Sequence, residues 1–155
     1  MILNHKILQL LNDSGVPYQL IEHPEAHTCT LAAQLRERKL EAGLKTVLFK
    51  DKRKFVLFAL RADRQVDSKK VRKILGSQKL RFATEDELIE LTGAKKGSLP
   101  PFGKELFSEL ELYLDESVHD AAEVAFNIGI LTCSCILKTE DYLGLVDPHF
   151  ASFSS

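Results

Sequence analysis

Apolar positions along the chain change their spacing several times, and each change marks an element. Residues 4–14 carry Ile7, Leu8, Leu10 and Leu11 near helical spacing, which predicts a helix with Asn4 as cap and Gly15 as stop. Pro17 to Glu22 reads as a strand closed by Pro24. A second helix is expected from about Thr30 to Lys39, with Leu31, Ala32 and Leu35 on its buried side, before Gly43 breaks the chain. The clearest signal follows. Lys45–Lys50 and Lys54–Leu60 are apolar on both faces and flank the charged turn Asp51–Arg53, which describes a hairpin of two interior strands.

Beyond the hairpin, Asp67 predicts the cap of a helix that runs through Leu75 and closes at Gly76. A short strand is expected at Lys79–Phe82, and Thr84 with Glu87 spells a capping box for the next helix. Gly93 to Gly103, with three Gly and two adjacent Pro in eleven residues, is a loop by composition. Leu110–Asp115, Val124–Ile128 and Thr132–Leu137 read as strands, with Thr139 as the cap of a last short helix. The irregular alternation favours a single α+β domain over residues 1–155, with a mixed, mostly antiparallel central sheet flanked by helices.

Composition narrows the function classes. At 155 residues, 45% hydrophobic and 28% charged, the chain can bury a core and is neither disordered nor fibrous. No apolar run reaches the roughly 18 to 20 residues that span a bilayer, so no membrane partner is expected. Three Cys imply no disulfide framework and make a reducing cytoplasm the expected location. The net charge of −1 conceals a segregation: Arg36 to Arg81 holds 16 Lys/Arg against 5 Asp/Glu, and the rest holds 5 against 17. Such a block suits a polyanion-facing side, or two solvated faces that merely separate in sequence.

Most familiar chemistries are missing. Cys133 and Cys135 share one strand face without further ligands at metal-binding spacing, and Pro24 separates His23 from His27, which read as surface or loop residues. Ser98 sits in GSLPP rather than a nucleophile elbow, and no glycine-rich nucleotide loop occurs. Nine Phe fall mostly inside apolar strands, where core packing explains them. Two features remain: Lys45, where a buried strand begins just after Gly43, and the Gly97–Gly103 stretch, whose glycines let backbone amides approach a ligand. Lys45 is either a snorkelling side chain or a cation at the mouth of a cleft.

Together these features change the picture. Lys45 opening a strand, LRADRQVDSKKVRKILG, LRFATEDELIELTGAKKGSLPPFG, then YLDES and FNIG, resembles the YbaK / prolyl-tRNA synthetase editing-domain family from about Val16 to Leu145. The resemblance implies a small α+β deacylase that hydrolyses mischarged aminoacyl-tRNA in trans, without metal or organic cofactor. The implied substrate is Ala, Cys or Ser on a non-cognate tRNA such as the proline tRNA. Implied partners are aminoacyl-tRNA and an aminoacyl-tRNA synthetase. By the same resemblance Lys45, Gly97 and Pro101 carry the reaction, while Thr46, Ser98, Leu99, Pro100, Gly103, Asn127 and Gly129 bind substrate. Where family members place a polar residue or His after the second glycine, this chain has Ile130 and Leu131. Lys69, Lys70, Arg72 and Lys73, on one expected helix of the basic block, are the candidate tRNA contacts. Two rival readings stay open: a non-catalytic tRNA- or synthetase-binding module, and a hydrolase of small aminoacyl esters that ignores RNA.

Overall fold

The computed structural model describes residues 2–155. Five α-helices and eight strands alternate along the chain: α1 Leu3–Ser14, β1 Gln19–Glu22, α2 Cys29–Arg36, β2 Leu44–Asp51, β3 Lys54–Arg61, α3 Ser68–Leu75, β4 Leu80–Phe82, α4 Glu85–Thr92, β5 Glu111–Asp115, β6 Glu123–Asn127, β7 Cys133–Lys138, α5 Thr139–Leu145 and β8 His149–Ala151. The expected α+β class holds, but the strands form two sheets rather than one central sheet. A three-stranded antiparallel sheet has the order β1-β7-β6, and a mixed five-stranded sheet the order β4-β2-β3-β5-β8. A bridge between Gly43 and Ala125 links them.

The alternation of strand side chains decides where the two cores lie. Leu48, Leu57, Ala59, Leu112 and Leu114 face the smaller sheet, which returns Val124, Phe126, Cys133, Cys135 and Leu137. Helices α1, α4 and α5 close this main core with Ile7, Leu11, Leu88 and the fully buried Tyr142. On the other face of the larger sheet Phe49, Val56, Phe58 and Leu60 pack under Val71 of α3 and under Phe153. The rings of Phe58 and Phe153 meet edge-on at 4.9 Å. The Phe-rich strands therefore serve packing, with Phe82 and Phe150 left exposed.

Local signals mostly act where the residues place them. The β2–β3 hairpin pairs Leu44 with Arg61 through Asp51 with Lys54, Asp67 accepts from the Lys69 and Lys70 amides, and the Thr84–Glu87 capping box is complete. Three expectations change. Helix α1 starts at Leu3 after extended Ile2, so Asn4 lies inside the first turn and no side chain caps it. Helix α2 is capped by Thr28 and stops at Arg36, because Glu37 turns left-handed with φ of 56°. Its buried face is Ala32, Ala33 and Arg36, while Leu31 is exposed. Thr139 does not cap α5; its hydroxyl donates to the Ala121 carbonyl at 2.6 Å.

Candidate active site

The cavity that matters opens beside the Gly43–Ala125 bridge, where the two sheets part. It measures about 90 Å³ and is lined by the start of α2 (Thr28, Cys29, Ala32), by Arg36, by Leu44, Lys45 and Thr46 of β2, and by Gly97, Leu99 and Asn127. Ala26, His27 and Ala62 complete the wall, and no Asp or Glu contributes to it. A space of this size suits a small acyl group.

The two features singled out in the sequence meet here although 52 positions separate Lys45 from Gly97. Lys45 is half-buried, and no ion pair among the described residues involves it. Thr46 lies beside it with a buried Oγ1 that has no hydrogen-bond partner. Gly97 adopts φ of 90°, which only glycine takes without strain, and its carbonyl accepts from Asn127 Nδ2 at 2.8 Å. Thr46, Leu99 and Asn127 thus share the cavity with Lys45 and Gly97.

The remaining loop residues are tied inward and lie outside the lining. Ser98 exchanges hydrogen bonds with the Lys95 backbone, donating at 2.9 Å and accepting at 3.0 Å. The Pro100 carbonyl accepts from the Phe102 amide, and the Pro101 carbonyl accepts from the buried Tyr142 hydroxyl at 2.6 Å. A Cβ on Gly103 would stand 2.9 Å from that of Leu112, and one on Gly129 would stand 2.8 Å from the Leu3 side chain. These residues shape the loop and dock it on α1, α5 and β5. Ile130 and Leu131 are half-buried, with Leu131 against Gly97.

Three polar residues at the site escape a reading of sequence. Arg36 sits in the charged run RERK, which looks solvated, yet it is only 5% exposed. Burial lowers its pKa to about 10, with the nearby Cys29 opposing, so the guanidinium stays charged near neutrality. Ser134 is fully buried and accepts from Arg36 Nε at 2.7 Å. His23, expected at the surface, is buried with Nε2 at 2.8 Å from Ser134 Oγ and Nδ1 at 2.8 Å from the Pro24 carbonyl. Only the pairing of β1 with β7, which sets Ile21 opposite Ser134, brings His23 close enough to Ser134 to reveal that constellation.

The model of the aminoacyl-tRNA editing domain matches residues 23–145, a span that holds every lining residue of the cavity. The chain belongs to this family. As an editing domain it is an aminoacyl-tRNA deacylase, a hydrolase of ester bonds. It is 31% identical over 157 residues to the multifunctional Ser/Thr-tRNA deacylase ProXp-y of Escherichia coli K12, covering 98% of this chain and 93% of that protein. It is also 31% identical over 105 residues to a proline–tRNA ligase of Staphylococcus saprophyticus, where the match spans 67% of this chain and 18% of the ligase. A solved structure described as a candidate trans-editing enzyme for prolyl tRNA synthetase superposes with a TM-score of 0.85 at 24% identity, covering 98% and 96% of the two chains. No helix among the described residues is long and apolar enough to cross a membrane.

Proposed function

We propose that residues 1–155 act as one editing unit that hydrolyses seryl- and threonyl-tRNA in trans, using water held between Lys45 and the Gly97 wall. The observation that carries the choice of acyl group is Thr46, a lining residue of the 90 Å³ cavity whose Oγ1 is buried without a hydrogen-bond partner. An unpaired buried hydroxyl costs about 1–3 kcal/mol, which a substrate hydroxyl offsets by bonding to it. A methyl-only alanyl group fits the same space and leaves Thr46 unpaired. The ProXp-y relative, named for Ser and Thr, agrees with this chemistry. The set of Ala, Cys and Ser that the resemblance implies is therefore weighted toward its hydroxyl-bearing member, with Thr added.

In this scheme no side chain of the wall serves as general base; His27 lines it, but its Nε2 is engaged by Glu25 Oε2 at 3.1 Å. Lys45 provides fixed positive charge where the tetrahedral intermediate becomes negative, and the Gly97 backbone orients the acyl group. The correctly charged prolyl group is refused by size. Single-turnover release from seryl-, threonyl-, alanyl-, cysteinyl- and prolyl-tRNA tests the reading. Seryl- and threonyl-tRNA should lead by tenfold or more, and Thr46→Val should collapse the seryl-to-alanyl ratio toward one. Equal rates on prolyl-tRNA and the small acyl groups would defeat it.

The RNA is held, in our reading, by α3. Lys69, Lys70 and Lys73 are exposed and Arg72 half-buried, and among the described residues none of the four enters an ion pair. Elsewhere in the basic block Arg38, Arg61 and Arg81 are neutralised by Glu123, Asp63 and Glu87. Charge reversal of α3 should weaken tRNA binding and lower the salt slope by about 0.7–0.9 for every phosphate that the helix no longer neutralises. An unchanged slope would remove α3 from the interface. A cytoplasmic location and a transient encounter with a synthetase, before tRNA release, fit the same reading.

A further inference from the structure

A buried cation is costly to keep unless something uses it, and Arg36 has no carboxylate partner among the described residues. Its fork is spent on two neutral groups instead. Nε donates to Ser134 Oγ at 2.7 Å and Nη2 to Asn127 Oδ1 at 3.2 Å. A guanidinium only donates, so it dictates which end of the Asn127 amide faces it. With Oδ1 turned to Arg36, Nδ2 is aimed at the Gly97 carbonyl, 2.8 Å away. The flipped amide would set NH2 against guanidinium and carbonyl against carbonyl. Ser134 adds a second lock by contacting Asn127 Oδ1 at 3.0 Å. The chain also leaves room for the fork: a Cβ on Gly43 would stand 3.4 Å from Arg36 Nη1, 3.2 Å from the Ala62 Cβ and 3.3 Å from the Leu40 carbonyl.

We propose that Arg36 is a positioning residue for deacylation, fixing the Gly97 wall of the cavity by holding the Asn127 amide in one orientation. The proposal rests on the reading of this cavity as the editing site. Its consequence is that breaking the relay loosens the wall facing Lys45 and lowers turnover, while tRNA affinity, set by α3, stays. Asn127→Asp separates positioning from stability. The new carboxylate would give Arg36 the counter-ion it lacks, but would face the Gly97 carbonyl with a lone pair in place of a donor.

The test measures kcat, KM, thermal melts and hydrogen exchange of the Ser98 amide, which bonds the Lys95 carbonyl within the same loop, for Asn127→Asp and Arg36→Met. Asn127→Asp should melt at or above the wild-type temperature, yet lose tenfold or more in kcat with KM within twofold, and its Ser98 amide should exchange faster. Arg36→Met should show the same kinetic split, and Asn127→Asp decides alone if Arg36→Met does not fold. A stable Asn127→Asp protein with kcat within twofold of wild type and unchanged exchange would overturn the proposal. Exchange is read without substrate, so a wild-type protein inactive on every aminoacyl-tRNA would sink the editing reading and still leave the relay to be judged.

Discussion

Lys45→Ala should leave the fold intact and cut single-turnover deacylation by about two orders of magnitude. The side chain is half-buried on β2 and lines the cavity without an ion-pair partner, so its removal breaks no contact that holds the sheet. Adjacent Leu44 and Leu48 carry the packing of that strand into the main core. A shift of more than a few degrees in melting temperature is therefore not expected. The loss falls on the reaction, because Lys45 lines a cavity whose wall holds no Asp or Glu, while the Arg36 fork is spent on Ser134 and Asn127. Lys45→Arg sharpens the test: a planar fork is longer and wider than an ammonium and crowds a wall already lined by Arg36. It should remain slow despite keeping its charge. A folded Lys45→Ala protein with a near-wild-type rate would reassign the site to the loop and Asn127.

That Lys45 could be found at all depended on a strong local pattern. KTVLFK and KFVLFAL bury residues of both parities, which fixed the hairpin and left one charged residue at its mouth. Caps were legible for the same reason, since Asp67, Thr84 and Glu87 act on amides two or three residues away. Parallel neighbours were not. Strand β8 is three residues long, HFA, and its pairing with β5 brings together positions 36 apart with no turn to announce it. The split into two sheets was hidden likewise, because β1 reaches β7 across more than a hundred residues.

The candidate site was legible in part, and its division follows the same physics. Composition marks GAKKGSLPPFG as a loop, but cannot say which carbonyls turn inward. Tyr142 takes that of Pro101 and Asn127 that of Gly97, and both come from distant strands and helices. Arg36 illustrates the converse. Among Glu37, Arg38 and Lys39 it reads as one more solvated charge, and only the left-handed turn at Glu37 shows that α2 ends with Arg36 pointing inward. Buried charge is a property of the fold, and no period in the sequence reports it.

The largest loss of stability is expected at Asp115, far from the reaction. The residue is 2% exposed and its carboxylate gathers the chain's last turn. Oδ1 accepts from the Phe153 amide at 2.9 Å and the Ser154 amide at 3.2 Å. Oδ2 accepts from Ser154 Oγ at 2.8 Å, from the Ser117 amide at 3.2 Å and from the Ser117 hydroxyl. Burial pushes the Asp115 carboxyl up, but the bonds from Ser117, Phe153 and Ser154 together pull it below its ordinary value. Asp115→Asn keeps the shape and turns an NH2 toward at least two donors, so we expect a loss of about 3 kcal/mol and a melting point lower by roughly 6–12 °C. Phe153 then leaves Phe58, and the second core opens to water. The pH dependence has a fixed sign. A carboxyl whose folded pKa is depressed stabilises fully above its unfolded value near 4, and this contribution is lost as pH falls through the folded one. The stability difference between wild type and Asp115→Asn should therefore be constant from neutral pH down to about 5 and shrink below about 4. Chemical denaturation of both proteins across that range measures it. A difference that does not shrink in acid, or a melting point lowered by less than a few degrees, would show that Asp115 does not anchor the C-terminal segment.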